Sequence, residues 1–361
     1  MNWLLVFVPV SIALEIFAAD RHLLIFAVSA LAILPLAGKM GHATEDLAEH
    51  LGEGVGGLLN ATFGNAAELI IALAALQAGL HEVVEASIVG SIVGNMLLVF
   101  GAAMLAGGIR HHEQQFNPRG GRSQATMLIL SAVALILPAT FEAVEGATVS
   151  LHRLSISISI VLLAVYALYL VFSLVTHPAL FRAAPATPAP APAAAPPPDA
   201  PVSRASRASI WRPVAMLVVA TAGTAWMSEI MVGALAPMMQ QYHLSDIFVG
   251  AFVVAILGNA AEHATAITAA LNNRMDLSFS IAVGSSVQVA LFVAPVLVLA
   301  SLVIGPSPMD LAFRPALVLI VALSVLVTAQ MANDGHADWF KGVQLLVVYF
   351  TLALTFFFLP H

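Results

Sequence analysis

Apolar residues in this chain gather in long, nearly unbroken runs, parted by short clusters of charge, glycine and proline. That pattern predicts helices that cross a bilayer. A hydrocarbon core of about 30 Å takes about 20 apolar residues of helix, and on that rule about eleven spans are expected. They run from Asn2 to Ala18, Leu23 to His50, Gly54 to Gly79, Glu82 to Gly108, Ser123 to Phe141 and Leu154 to Thr176. Past a break they resume from Arg212 to Gln241, Ser245 to Leu271, Asp276 to Ile304, Leu311 to Ala332 and Trp339 to Leu359. The second and seventh runs are long and hold interior charges, so tilting or breaking is expected there.

The break is Ala183 to Ser209, a Pro/Ala-rich tract that favours extended polyproline conformation and cannot build a packed core. It divides the chain into an extra N-terminal span (1–20), a first five-span unit (21–178), a linker (179–210) and a second five-span unit (211–361). Met1 to Ala18 looks like the apolar core of a signal peptide but lacks its positive start, which favours a retained first span.

Composition agrees with the hydropathy. Of 361 residues, 60% are hydrophobic and 9% charged, against about 45–50% and about 25% in soluble domains. Mean hydropathy is +0.95. Cysteine is absent, which excludes disulfides, thiolate metal sites and cysteine nucleophiles. A net charge of −7 without a basic stripe argues against nucleic acid as a partner. Arg110, Arg119, Arg122, Arg182, Arg204, Arg207, Arg212, Arg274 and Lys341 fall on one side of the predicted membrane; Arg21, Arg153 and Arg314 fall on the other. Lys/Arg excess marks the cytoplasm. The N-terminus and linker are expected there, the C-terminus outside, in a bacterial inner membrane.

The chemistry centres on Gly64-Asn65-Ala66-Ala67-Glu68, which returns as Gly258-Asn259-Ala260-Ala261-Glu262. A carboxylate inside a membrane helix costs roughly 2.5–3.5 kcal/mol on insertion scales. Two of them in matched settings, in opposite halves, read as a duplicated site facing a shared cation. Asn65 and Glu68 are i and i+3, hence on one helical face, as are Asn259 and Glu262. Carboxylate with amide oxygen is a hard cation's ligand set. Gly64 and Gly258 permit a local break that exposes carbonyl oxygens. The plainer alternative, protonated acids bonded across a packing seam, leaves the duplication unexplained.

The repeat extends outwards. Thr44-Glu45 is matched by Ser228-Glu229, and Gly90-Ser91 with Asn95 by Gly284-Ser285 with Gln288. An odd number of spans per unit makes the second copy enter from the opposite side, so the fold class is all-α with an inverted repeat and a site near the midplane. Ser91, Asn95, Ser285 and Gln288 supply supporting oxygens or interhelical bonds. His263 is a proton relay or a partner of Glu262, or a buried histidine bonded to a carbonyl. Glu45 and Glu229 line an aqueous entrance. Other signals fail: His111-His112-Glu113 is a loop cluster, and His81-Glu82-Val83-Val84-Glu85 lacks the second histidine of a zinc helix. No nucleotide loop or serine elbow occurs, so no enzyme activity and no cofactor are expected, and coupling comes from an ion gradient or is absent.

These paired motifs, with Gly56 to Asn65 and the Gly284-Ser285-Ser286-Val287-Gln288 run, resemble the signatures of the cation/proton exchanger (CAX) family of Ca²⁺/H⁺ antiporters. The resemblance covers the second span to the end. It implies Ca²⁺ export from the cytosol against entering protons, with Ca²⁺ as cargo. Carried over, Glu68 and Glu262 bind Ca²⁺ and protons in competition, and Asn65, Asn259 and the carbonyls of Gly64 and Gly258 complete the site. Ser91, Ser285 and Gln288 support it, and Glu45 with Glu229 line the path. Family members often carry an acidic inter-half segment; here that tract holds one acid, Asp199. A passive channel using the same pair, and exchange of Mn²⁺ or Na⁺, stay open. An intramembrane hydrolase using Glu262-His263 lacks a nucleophile.

Overall fold

Without water in the bilayer core, each apolar run must satisfy its backbone internally, and helices do so. The computed structural model describes residues 2–51, 56, 58–59, 62–145, 148–178 and 210–358. The tract Ala183 to Ser209 lies outside them. The described residues form α1 (Trp3–Phe17), α2 (His22–Leu51), α3 (Ala66–Gln77), α4 (His81–His111), α5 (Pro118–Glu145) and α6 (Leu151–Thr176). The second half supplies α7 (Trp211–Tyr242), α8 (Asp246–Leu271), α9 (Met275–Ala300), α10 (Pro315–Ala332) and α11 (Trp339–Phe357). Nine helices among the described residues are long and apolar enough to cross a membrane; α1 and α3 are shorter and apolar. The protein is an all-α, multi-pass membrane protein.

Two helices are enclosed on nearly all sides. The apolar windows of α4 and α9 are 83% and 72% buried, against 22% for α6 and α11, which face outwards. α2 packs along α7, with α1 beside α2, and α8 runs between α4 and α9. Where the first turns of α8 cross α4, glycine sets the spacing. A Cβ on Gly250 would lie 2.6 Å from the Val83 carbonyl, and one on Gly90 would strike the Ala251 backbone. Small residues let membrane helices approach closely and pack by dispersion.

Both central helices carry a π-helical stretch at their polar residues: Gly94–Val99 in α4 includes Asn95, and Val289–Val293 in α9 follows Gln288. Such stretches insert an extra residue into a turn and concentrate at functional sites.

The apolar Leu311–Phe313 segment, expected to begin the tenth span, is not helical. α9 ends at Ala300 and α10 starts at Pro315. The residue before a proline disfavours helix, whereas proline suits the first helical position. The intervening loop nonetheless buries Met309, Leu311 and Phe313. On its own loop, the first half contributes β1 (Glu113–Gln115), antiparallel to β2 (His336–Asp338), with Gln115 opposite His336.

Beside this ribbon, Lys341 Nζ bonds Asp334 at 2.6 Å. Partial desolvation would raise the Asp334 carboxyl. The Lys341 bond, the His336 N–H and both positive neighbours outweigh that and hold it below its ordinary value.

Candidate cation site

The first pentapeptide interrupts its helix. Residues 62–63 are helical, Gly64 and Asn65 form a turn, and α3 restarts at Ala66 with Glu68 in its first turn. The second copy is continuous, since α8 runs unbroken through Gly258 and Asn259. The opening expected at both glycines therefore occurs at Gly64 and not at Gly258. Asn259 is instead tied one turn back, its Nδ2 donating to the Ala255 carbonyl at 2.9 Å. Gly258 serves spacing: a Cβ there would stand 3.1 Å from Cγ of Glu68.

A hydrogen-bond network then joins the two halves. Ser91 Oγ donates to Glu68 Oε1 and accepts from Asn259 Nδ2 at 3.0 Å. Asn259 Nδ2 also reaches Glu68 Oε1 directly. Ser285 Oγ donates to Asn65 Oδ1 at 2.8 Å and accepts from Asn95 Nδ2 at 3.2 Å. Each serine thus bonds an asparagine of the opposite half, and Ser91 also bonds the glutamate of its own. Asn65 Nδ2 continues to Gln288 Oε1 at 2.7 Å, and His263 Nε2 lies 3.1 Å from Asn95 Oδ1. His263 therefore meets the network through Asn95.

Asn65, Asn95, Asn259, Ser91 and Ser285 are buried, and Glu68, Glu262 and His263 half-buried. Three acceptor oxygens here are inaccessible and have no hydrogen-bond partner among the described residues: Glu68 Oε2, Glu262 Oε2 and Asn259 Oδ1. Buried polar atoms are normally paired, and unpaired carboxylate and amide oxygens are what a hard cation takes. A cavity of about 20 Å³ beside Glu68, edged by Ser87, Ser91 and Gly258, has room for one water.

Some expected residues stand elsewhere. Glu45 is exposed, 3.6 Å from the ring of His42, and Glu229 is exposed on α7. Neither joins the network. Gly64 is exposed at the turn. The π-helical stretches went unforeseen; apart from Asn95 their residues are ordinary apolar ones, which carry no signal of the extra residue in the turn.

Among the described residues, acids and amides from both halves of the chain meet in this one network inside a multi-pass membrane protein, an arrangement suited to an ion. The sodium/calcium exchanger protein family matches residues 21–175 and 212–358, and the chain belongs to it. It is similar to the Ca²⁺/H⁺ antiporter of Synechocystis sp. (43% identity, 99% of this chain and 96% of that one). It is also similar to the Ca²⁺/H⁺ antiporter ChaA of Bacillus subtilis (40% identity, 98% of each). The solved structure of native YfkE superposes with a TM-score of 0.82 at 37% identity, covering 98% of this chain and 97% of that one.

Proposed function

We propose that this protein exchanges cytosolic Ca²⁺ for external protons, with Glu68 and Glu262 as the carboxylate pair that both ions share. The observation that carries the reading is the set of unpaired buried oxygens on Glu68, Glu262 and Asn259, drawn from both halves. The antiporters to which the chain is similar over nearly its whole length support the choice of ions.

Competition for one site explains obligatory exchange. Two ionised carboxylates in a low-dielectric interior are costly when empty. A divalent cation neutralises them, and so do two protons. The loaded and the protonated forms pass between inward- and outward-facing states; the empty, doubly charged form does not. Asn65, Asn259 and the carbonyl of Gly64 complete the cation's ligands on this reading, while the Gly258 carbonyl stays inside unbroken α8. Ser91, Ser285, Asn95 and Gln288 orient them, His263 passes protons through Asn95, and Glu45 and Glu229 line the path. The units 21–178 and 211–361 act as inverted halves around the site, the span in 1–20 standing apart. The N-terminus and linker 179–210 face the cytoplasm of a bacterial cell and the C-terminus faces outside, on the distribution of Lys and Arg.

Proteoliposomes with an acid interior and a trapped pH dye test this. Adding Ca²⁺ outside should raise the internal pH as Ca²⁺ enters. Ca²⁺ entry without a pH change would mean passive conduction and overturn exchange; a response to Mn²⁺ or Na⁺ alone would reassign the cargo.

A further inference from the structure

The two motif helices end alike. α3 closes with Gly79 N donating to Leu76 O (3.0 Å) and Leu80 N to Ala75 O (2.9 Å), Gly79 taking φ 77°. α8 closes with Asn273 N donating to Ala270 O (3.0 Å) and Arg274 N to Ala269 O (2.9 Å), Asn273 taking φ 56°. Both are the paired ending that a left-handed residue gives a helix. Gly79 follows Gly64, and Asn273 follows Gly258, by the same interval (79 − 64 = 273 − 258 = 15).

Each matched ending is covered by a loop from the opposite half. On α3, Gly305 (φ 91°) closes over Leu76 O, where a Cβ would stand at 2.6 Å, and Pro306 abuts Gly79. On α8, Gln114 Nε2 donates to Ala270 O and to Asn273 Oδ1, both at 2.9 Å, and His111 Nε2 lies 3.0 Å from Leu271 O. Because Ala270 O can only accept, the Gln114 amide nitrogen must face it. Gln114 is buried, and its Oε1 fills the space that the missing Cβ of Gly107 leaves.

Both loops are themselves anchored. In 301–314, Met309 N donates to Ser301 Oγ (2.8 Å), and Leu311 N donates to Ser155 Oγ on α6 (3.0 Å). Asp310 pairs with His152 of α6 at 3.1 Å, and Arg314 pairs with Glu82 of α4. In 112–117, Phe116 stacks on Phe279 of α9 at 4.8 Å, and Asn117 N donates to Asp276 Oδ1 at 2.6 Å. The β1–β2 ribbon adds a bond to the second half.

We propose that these loops are paired cross-ties, one near each membrane surface, which hold the tail of each motif helix to the opposite half throughout transport. Gln114 is then a positioning residue for Glu262: it touches no cation but fixes the end of the helix that presents that acid. The inference rests on the exchange proposed above.

The chain contains no cysteine, so an introduced pair supplies the only thiols. Gln115→Cys with His336→Cys closes one tie and His152→Cys with Asp310→Cys the other, by oxidation or a short bifunctional thiol reagent. Each bridged protein should keep more than half the exchange rate of its reduced form. Arrest on bridging, reversed by reductant, would make that loop a moving gate and overturn the proposal. Failure of the reduced and unsubstituted proteins to exchange would instead refute the Ca²⁺/H⁺ reading. Gln114→Leu removes both bonds to the end of α8 and should raise half-saturating Ca²⁺ at least about fivefold at unchanged maximal rate. Gly107→Ala, which displaces the same carboxamide, should do likewise. Unchanged half-saturation in both would overturn the positioning role. Should neither variant fold, the bridging result decides alone.

Discussion

Asn259 on α8 donates its amide to the Glu68 carboxylate on α3, across the boundary between the two halves of the chain. The acid of one half is thus held by the amide of the other. Neither half makes this network alone.

Replacing either acid tests that centre directly. Glu68→Gln and Glu262→Gln each remove one negative charge from a shared site while keeping its volume. Exchange in proteoliposomes should fall below about a tenth of wild type, since an unpaired buried charge costs several kcal/mol. Size-exclusion profiles should stay unchanged. Exchange well above that level in either variant would contradict the shared pair.

The serines should behave as a matched set. Ser91→Ala and Ser285→Ala each delete a hydroxyl that joins the halves, worth about 1 kcal/mol. Half-saturating Ca²⁺ should rise about fivefold in both. A large effect at one serine and none at the other would mean that the halves are not functionally equivalent here.

Gly258→Ala puts a methyl 3.1 Å from Glu68 Cγ. Overpacking costs about 1–3 kcal/mol, so Ca²⁺ affinity should drop about fivefold or more while the fold persists. Calorimetric titration of purified protein with Ca²⁺ measures it.

Glycines along α4 should separate by environment. Gly90→Ala collides with the Ala251 backbone and should lower the thermal midpoint; at Gly94 an added Cβ meets nothing within 4 Å. Gly94→Ala should therefore be neutral or stabilising, by up to about 1 kcal/mol from helix propensity. Equal destabilisation by both would refute the close α4–α8 crossing.

Acid should weaken the Asp334–Lys341 tie. A folded-state pKa below the ordinary value means that the stabilisation is full above an unfolded pKa of about 3.9. It fades as pH falls through the lower folded value. Because the Asp334 side chain is half-exposed, the effect is small. The gap in thermal midpoint between wild type and Asp334→Asn should be present at neutral pH and close below about pH 4.

Much of this molecule could be read from its residues. Long apolar runs locate membrane helices because the bilayer imposes length and internal hydrogen bonding together. The repeated Gly-Asn-Ala-Ala-Glu marks residues that lie near one another because charge inside a membrane is too expensive to be incidental. What stayed hidden depends on tertiary contact. Leu311 and Phe313 are as apolar as a helix start, yet they belong to a buried loop that Arg314-Pro315 keeps out of the helix. Gln114 carries no hydropathy signal at all; only its partner Asn273, standing where the first half has Gly79, hints at it. Gly64 and Gly258 are the same letter, and nothing local says that one breaks its helix while the other makes room for Glu68.

That difference has an electrical consequence. By restarting its helix at Ala66, the first half places Glu68 in a first turn, where the helix dipole is equivalent to about half a positive charge. Glu262, in mid-helix, has no such neighbour. Identical words in the sequence therefore give the two acids unlike fields.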